Sequence, residues 1–567
     1  MHAKLTRLDE AYENARSGLC SQLIPQSTPP EISTHILLPM RNQCRKETHT
    51  SPLEHLRLAV KHPITVLPIE LLQHIFFWCL ESPVKTEECR YHNIDQWLTS
   101  RSAPLLLCRV SRAWRAAALS HPALWAKLDV YISWGKPRPA VPLVARWLDR
   151  SGALPLTLAL YQQNESSDNR VAAGEILDLY KRYIYRWRRI QFDLTGPKYS
   201  RLLTSQQRSA PLLEDFRMQT SYRTYEAEEK DLFSIFASVP RLAHLHVSRI
   251  PDLSLVGHSS VPVPWRQLVS LSLGYVGSVG TTLHILAQCP LLQECAVKID
   301  TEHGPLPHDV LVHHLKVLKL NIGFENVASF FNGIACPGLV EFTVHVRGPL
   351  DQYGWPQAPF AAFLARSACR PVHFEISDTG MRFDEFAGCL CAPQMQALER
   401  IVVNDRRDWT WEPFVTDLAL DLLTCSAFSG AVEAGGGVEA VREVVMGSSL
   451  AGGDLDALDD THAIAMPSTP TSANDDHDST DVTGTEPPAP RRNGLLPNLE
   501  ALTFRGSCLW TADGAVADMV ESRWRFLANG VRRLKRVELE LLSSHVEDLR
   551  RLQEFSMEGL ELQVLFR

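Results

Sequence analysis

Leucines at positions 242, 268, 292, 315 and 339 stand 26, 24, 23 and 24 residues apart, each opening a short apolar–polar alternation. A chain that returns to one local pattern at so regular a step must stack like units side by side, because a single unit cannot bury its apolar face alone. The marker is a Pro-x-Leu or related turn running into a strand. It recurs as APLLEDFRM, VPRLAHLHV, WRQLVSLSL, CPLLQECAV, LKVLKL, CPGLVEFTV, RPVHFEI, MQALERIVV, LPNLEALTF and VRRLKRVEL. Between these lie helical pieces such as EEKDLFSIFAS, GTTLHILAQ and VASFFNGIA, whose apolar residues recur three and four apart.

One short strand and one helix per unit, at a period in the mid-twenties, is the pattern of a leucine-rich-repeat solenoid. The expected fold class is therefore α/β, with parallel strands on one face and helices on the other. The asparagine that stacks inside regular repeats is missing, so the repeats are read as irregular, over 201–427 and again over 495–567. The intervening 428–494 is rich in Gly, Ser, Thr, Pro and Asp, as in MPSTPTSANDDHDSTDVTGTEPPAP. It offers too little apolar area to offset ordering and reads as a disordered insertion. Ser468 and Thr469, the latter before Pro470, are candidate phosphorylation sites there.

That insertion also holds the charge asymmetry. Ten acidic residues and no Lys or Arg fall between Glu443 and Pro490; without them, 55 of the 65 acidic residues face 57 basic ones. A near-neutral body lacks the field of a dedicated nucleic-acid binder. Thirteen cysteines scattered through apolar runs form no disulfide framework and point to a reducing compartment. The N-terminal MHAKLTRLDEAYENARSGL has no apolar signal core. The most apolar window, ITVLPIELLQHIFFWCL, is too short and too polar for a membrane span. The expectation is a cytoplasmic or nuclear protein with neither membrane nor nucleic acid as partner. CLCAP at 389–393 and HHL at 313–315 lack paired zinc-ligand spacing, and Cys289 and Cys336, each before a proline, read as small buried side chains. GGDLDALDDTH lacks the spacing of a calcium loop. With no phosphate loop, nucleophile elbow or metalloprotease helix either, no cofactor and no enzymatic activity are expected.

Residues 1–62 read as partly helical or disordered, with PQSTPPEIST as a breaker. A compact helical module follows at 63–128. LPIELLQHIFFWCL places Leu67, Leu71 or Leu72, Ile75 and Cys79 on one face, with Pro68 at a helix start. A polar stretch at 81–102 precedes APLLLCRVSRAWRAAALSHPALW, read as one helix capped by Ser102. Its stripe is Leu106, Val110, Ala113 or Trp114, and Ala117, with Arg109, Arg112 and Arg115 opposite. About sixty residues bury only about 60% of their unfolded surface, and these helices carry more apolar positions than so small a core can hide. Leu67, Pro68, Leu71, Ile75, Leu107 and Val110 are the candidate surplus, which a partner helix would cover. From 129 to 200 a helix–strand bridge is expected: a helix ending at Gly152, the strand LPLTLALY, the helix AAGEILDLYKRYIYRWR and the strand RIQFDL. The arginines of RYIYRWRRI read as a solvated helix face with Trp187 packed inward.

The series Leu67-Pro68, Ile75-Phe76, Val110-Ser111-Arg112-Ala113-Trp114 and Leu124-Trp125 resembles an F-box. ARWLDRSGALPLTLAL and IYRWRRIQFDL, followed by irregular repeats, further resemble the F-box proteins of mushroom-forming fungi. The departures are Ser111, where the family often has another small residue, Cys, and the long polar insertion at 81–102. The resemblance implies a substrate-recognition subunit of a cullin–RING ubiquitin ligase. The F-box would dock on a Skp-type adaptor through Leu67, Pro68, Leu71, Ile75, Leu107, Val110, Trp114, Leu124 and Trp125, with Trp114 and Trp125 open to a role in the module's own core. The repeats would hold a protein substrate. The alternative it leaves open is an F-box scaffold or regulator that acts without ubiquitination.

Overall fold

The computed structural model describes residues 67–80, 103–164, 166–194, 209–220, 236, 238–248, 263–299, 309–348, 355–404, 415–425, 495–506, 510–525 and 530–566. Segments 1–62, 81–102 with Ser102, most of 228–238, and 428–494 with Ser468 and Thr469 lie outside the described residues. The chain divides into two units, Met1–Leu67 and Pro68–Arg567. Every described helix and strand lies in the second.

That unit opens with α1 (Ile69–Trp78), α2 (Leu107–Val110), α3 (Arg112–Leu119) and a 3-10 turn at Pro122–Trp125. The single helix expected from 103 onward is in fact two. Ser111 is extended (φ −155, ψ 169) and its hydroxyl accepts the Trp114 N–H at 3.1 Å, so it ends one helix and caps the next. A hydroxyl that competes for backbone N–H groups favours such a break.

Strands and helices then alternate. The first stretch runs β1 (Lys127–Ser133), β2 (Lys136–Arg138), α4 (Val141–Arg150), β3 (Leu156–Gln162), α5 (Ser167–Lys181), β4 (Trp187–Leu194), β5 (Asp215–Thr220) and β6 (His244–Val247). Next come β7 (Ser270–Val276), α6 (Val279–Ala287), β8 (Glu294–Ile299), β9 (Leu311–Val312), β10 (Val317–Gly323), α7 (Phe324–Gly333), β11 (Ile334–Ala335) and β12 (Glu341–Arg347). The last stretch is α8 (Gln357–Ser367), β13 (His373–Ser377), α9 (Phe383–Cys391), β14 (Arg400–Asn404), α10 (Asp417–Leu423), β15 (Ala501–Arg505), α11 (Ala515–Trp524), β16 (Arg536–Leu541), α12 (Val546–Met557) and β17 (Glu561–Phe566).

Fifteen strands form one sheet whose order follows the chain, except that β2 turns back on the outside of β1. Only β1 and β2 are antiparallel; every other pairing in that sheet is parallel. β9 and β11 make a separate parallel pair. All ten marker segments carry a strand, nine of them led by a leucine and RPVHFEI by Pro371-Val372. The five register leucines are buried, and each lies two residues before its strand, as do Leu213, Leu398, Leu499 and Leu534. In place of an asparagine ladder the turns are locked by backbone bonds. From Val269 through Gln293, Lys316, Val340, Val372, Glu399 and Glu500 to Lys535, each residue's N–H donates to the preceding one's carbonyl at 2.7–2.9 Å.

Alternation closes one face of the sheet: Leu128, Leu158, Ile190, Phe216, Leu245, Leu271, Cys295, Leu318, Phe342 and Phe374 run across it in register, all buried. The stretch 129–200, expected as a bridge, instead supplies strands of this same sheet. Its helix stops at Lys181, because Trp187 begins β4 and is buried. Arg186, expected on a solvated face, is buried too, donating to the Leu154 carbonyl (2.8 Å) and the Ser151 hydroxyl (2.6 Å).

Basic side chains recur where helices end, since the last carbonyls of a helix need donors. Arg366 donates to the Phe331 and Ile334 carbonyls, and the Ser367 hydroxyl accepts the Cys336 N–H. Ser522 and Arg523 repeat the device: Ser522 accepts the Cys425 N–H, and Arg523 donates to the carbonyls of Leu423, Leu495 and Leu496. Arg523 thus ties together the residues on both sides of 426–494, and β15 pairs directly with β14. No described helix is long and apolar enough to cross a membrane.

Candidate docking surfaces

On α1 the positions that face inward are Leu72 and Phe76, one turn apart. The Phe76 ring meets Trp114 at 4.9 Å, and Gln73 donates to the Ala117 carbonyl at 3.3 Å, so α1 is seated on α3. The other apolar side chains of α1 point to solvent: Leu71 is 53% exposed and Trp78 75%, with Ile69, Ile75 and Phe77 also exposed. Val110, at the end of α2, is 54% exposed, and Leu106 and Leu119 are exposed as well. Pro68 is exposed, and so is Leu67, the last residue of the first unit. Fully covering an aliphatic side chain of this size is worth roughly 1.5–3 kcal/mol.

Three residues expected on a docking face are not there. Leu107, Leu124 and Trp125 are buried, and Trp114 is half-buried against Phe76. The correction has a physical cause: α4 supplies a floor that local sequence does not reveal. Trp125 stacks edge-on against Trp147 of α4 at 4.8 Å, donates its indole N–H to the Ala118 carbonyl at 2.9 Å, and lies under the Arg150 guanidinium. Sequence reasoning in turn passed over Ile69, Phe77, Trp78 and Leu119, and placed Leu106 on the helix stripe; the available signal in α1 was that seven of its ten residues are apolar, more than one buried face requires.

The second surface is the sheet's open face, where side chains fall in rows. One row runs Lys298, Asn321, His345, Ser377, Asn404 and Arg505 across six neighbouring strands. Lys298 sits over the Tyr275 ring, His345 Nδ1 is 3.6 Å from an Asp378 oxygen, and the Asn404 amide donates to Glu375 and Ser377. Arg505 is paired with Glu538, which is nearly buried. At the other end, Tyr131 of β1 stacks on Tyr161 of β3 at 4.6 Å and 9°.

Asp513, His545 and Asp548 bring possible ligand atoms within 4.8 Å of one another. Their oxygens already have donors. Asp513 accepts the N–H groups of Glu547 and Asp548 at the start of α12, while Asp548 accepts the Ala517 N–H of α11 and the His545 ring at 2.9 Å. The arrangement cross-caps two adjacent helices. Burial raises the thiol pKa of Cys289 and Cys336 to about 12 each, as suits small apolar fillers. His313 is buried and bonded to the Cys289 carbonyl at 2.9 Å. Compared with protein-family models and with curated proteins, the chain matches none.

Proposed function

We propose that the chain is the substrate-recognition subunit of a cullin–RING ubiquitin ligase. In this reading 63–128 is an F-box that docks on a Skp-type adaptor, and the strand–helix units are irregular leucine-rich repeats whose open sheet face holds a protein substrate. The observation that carries it is the exposure of Leu71, Ile75 and Val110, together with Ile69, Phe77, Trp78, Leu106 and Leu119, on a helical module whose Leu72, Phe76, Leu107, Leu124 and Trp125 are packed. An apolar helix face of this kind is covered by a helix of another chain. In this reading the chain supplies binding and no reacting group. Holding a substrate beside a ubiquitin-charged enzyme raises the effective concentration of its lysines, so proximity does the work. Cytoplasm or nucleus is where such a ligase operates.

Co-expression with a Skp-type adaptor tests the reading. The wild type retains the adaptor through purification, and Leu71→Asp with Ile75→Asp loses it. Cullin in the same complex, together with ubiquitination of a bound partner, separates a ligase receptor from a scaffold. A wild-type chain that retains no adaptor overturns the proposal.

A further inference from the structure

We infer that the β1–β2 hairpin and β3 form an aromatic, basic patch that recognises an acidic linear peptide of a partner protein. The inference rests on the reading of the open sheet face as a substrate surface and narrows it to the first strands.

The first observation is strain without a structural use. Trp134 and Gly135 form the hairpin turn with φ of 54 and 67, both positive. Such turns favour Asn-Gly, and a bulky residue at the first position is disfavoured because its Cβ crowds the following carbonyl oxygen. Yet the Trp134 side chain is 78% exposed, so the fold gains no core from it. The turn is nevertheless clamped. The Gly135 N–H donates to Oδ1 of buried Asn169 at 2.5 Å, and Asn169 donates to Asn164 at 2.7 Å. A Cβ at position 135 would lie 2.7 Å from the Asp168 Cβ, so the hairpin is pressed against the start of α5. The result is a turn with a fixed backbone that carries its indole outward into solvent, so the backbone has little freedom left to lose on binding.

The second observation is what surrounds it. Arg138 lies directly opposite Tyr131, and Lys136 opposite Ser133, so both cations share the open face with the Tyr131–Tyr161 stack. Asp215 is taken by Arg217 at 3.0 Å, and Asp193, in register with Tyr161, marks the far border. Burial raises the Asp129 pKa, and the positive bias of the patch comes from Lys136 and Arg138, both exposed on the hairpin at the sheet's edge. Trp, Tyr and Arg are the side chains that most often dominate binding energy. With cations interleaved, they suit a peptide of acidic residues around an aromatic or proline contact.

The test is fluorescence anisotropy on the full chain with a labelled peptide carrying a Phe-Pro core flanked by glutamates. Its lysine-flanked counterpart and a single-stranded oligonucleotide are run beside it. The glutamate peptide binds the wild type, and Trp134→Asn weakens it about tenfold or more. Lys136→Glu weakens it less, and added salt weakens it in both. Trp134→Asn melts no lower than the wild type, since Asn tolerates the turn, so lost binding is not lost fold. No binding by the wild type, equal binding by Trp134→Asn, or equal or tighter binding of either control overturns the inference. Adaptor retention separates this outcome from the fate of the ligase reading. Trp134→Asn keeps the adaptor, and Leu71→Asp with Ile75→Asp keeps the peptide.

Discussion

The helical module at 68–125 and the strand array that follows draw on the same apolar residues and dispose of them differently. Within α1, IELLQHIFFW, Leu72 and Phe76 are buried while Ile69, Leu71, Ile75, Phe77 and Trp78 are exposed. Within α7, FENVASFFNG, Val327, Phe330 and Phe331 are all buried and no large apolar side chain is exposed. The difference lies in what stands on either side. Helix α7 is covered by the sheet and by α8, and Phe331 alone meets Phe342, Trp355, Phe360 and Phe363 within 6.2 Å. Helix α1 has α3 on one side. A strand–helix array closes over its helices because each unit roofs the last; among the described residues the helical layer at 69–119 has no such neighbour over α1's outer side.

The contrast is most directly broken by truncating one residue on each side of it. Phe342→Ala removes a ring stacked on Phe374 at 5.9 Å and on Phe360 at 6.2 Å, and should cost about 3–5 kcal/mol. Leu71→Ala should stay within about 0.5 kcal/mol, because no cavity forms. Thermal or urea unfolding of the two variants reads the difference. Comparable losses would mean that α1 is covered in solution and that its exposed face is not a face at all.

A second substitution probes how the array survives interruption. Arg523→Met keeps bulk and apolar stem but strands the carbonyls of Leu423, Leu495 and Leu496, each costing about 1–3 kcal/mol when buried and unpaired. The expected loss is roughly 3 kcal/mol, with Arg523→Lys recovering part of it by one remaining donor set. Peptide-level hydrogen exchange should show the extra opening at α10 and β15, while α1–α3 keep wild-type rates. A variant that exchanges faster in the helical module would show the two regions to be coupled.

These residues also mark where sequence reading succeeds and where it stops. The strands were legible because burial on one face forces alternation, and a leucine two residues upstream repeats with the unit in nine of the ten segments, all ten of which carry strands. Inside and outside on α1 were not, since Leu71 and Leu72 are both leucine and only the position of α3 tells them apart. Leu107, Leu124 and Trp125 were placed on the docking face because α4, which covers Trp125, is distant in the local pattern. The β1–β2 hairpin was not legible because WGKPRPAVPLVARWLDRSG reads as one helix ending at Gly152, whereas β2 occupies Lys136–Arg138 and the helix starts at Val141; its turn is Trp-Gly instead of the usual Asn-Gly. β17 carries no leading leucine turn. Arg523 gives no local signal either: its carbonyl partners lie 27 to 100 residues away.

The smallest effect sharpens the comparison through pH. Burial holds the His313 ring below its ordinary pKa of 6.5, assisted by His314 and opposed by the Cys289 carbonyl that accepts its N–H. His373, on β13, is lowered the same way, by burial first and then by Arg400. A base whose folded pKa is lowered binds fewer protons folded than unfolded once pH drops below its unfolded value. Stability contributed by these rings is therefore full above about pH 6.5 and declines as pH falls from there toward the folded pKa. Both rings belong to the array, one beside α6 and one on the sheet. Acid in this window should thus lower the unfolding midpoint of the array, and His313→Gln, which keeps a donor for the Cys289 carbonyl but does not titrate, should flatten that slope, an effect smaller than the stability losses of Phe342→Ala and Arg523→Met. A slope unchanged by His313→Gln would assign the acid sensitivity to other groups and leave the ring a purely steric part of the turn between β9 and β10.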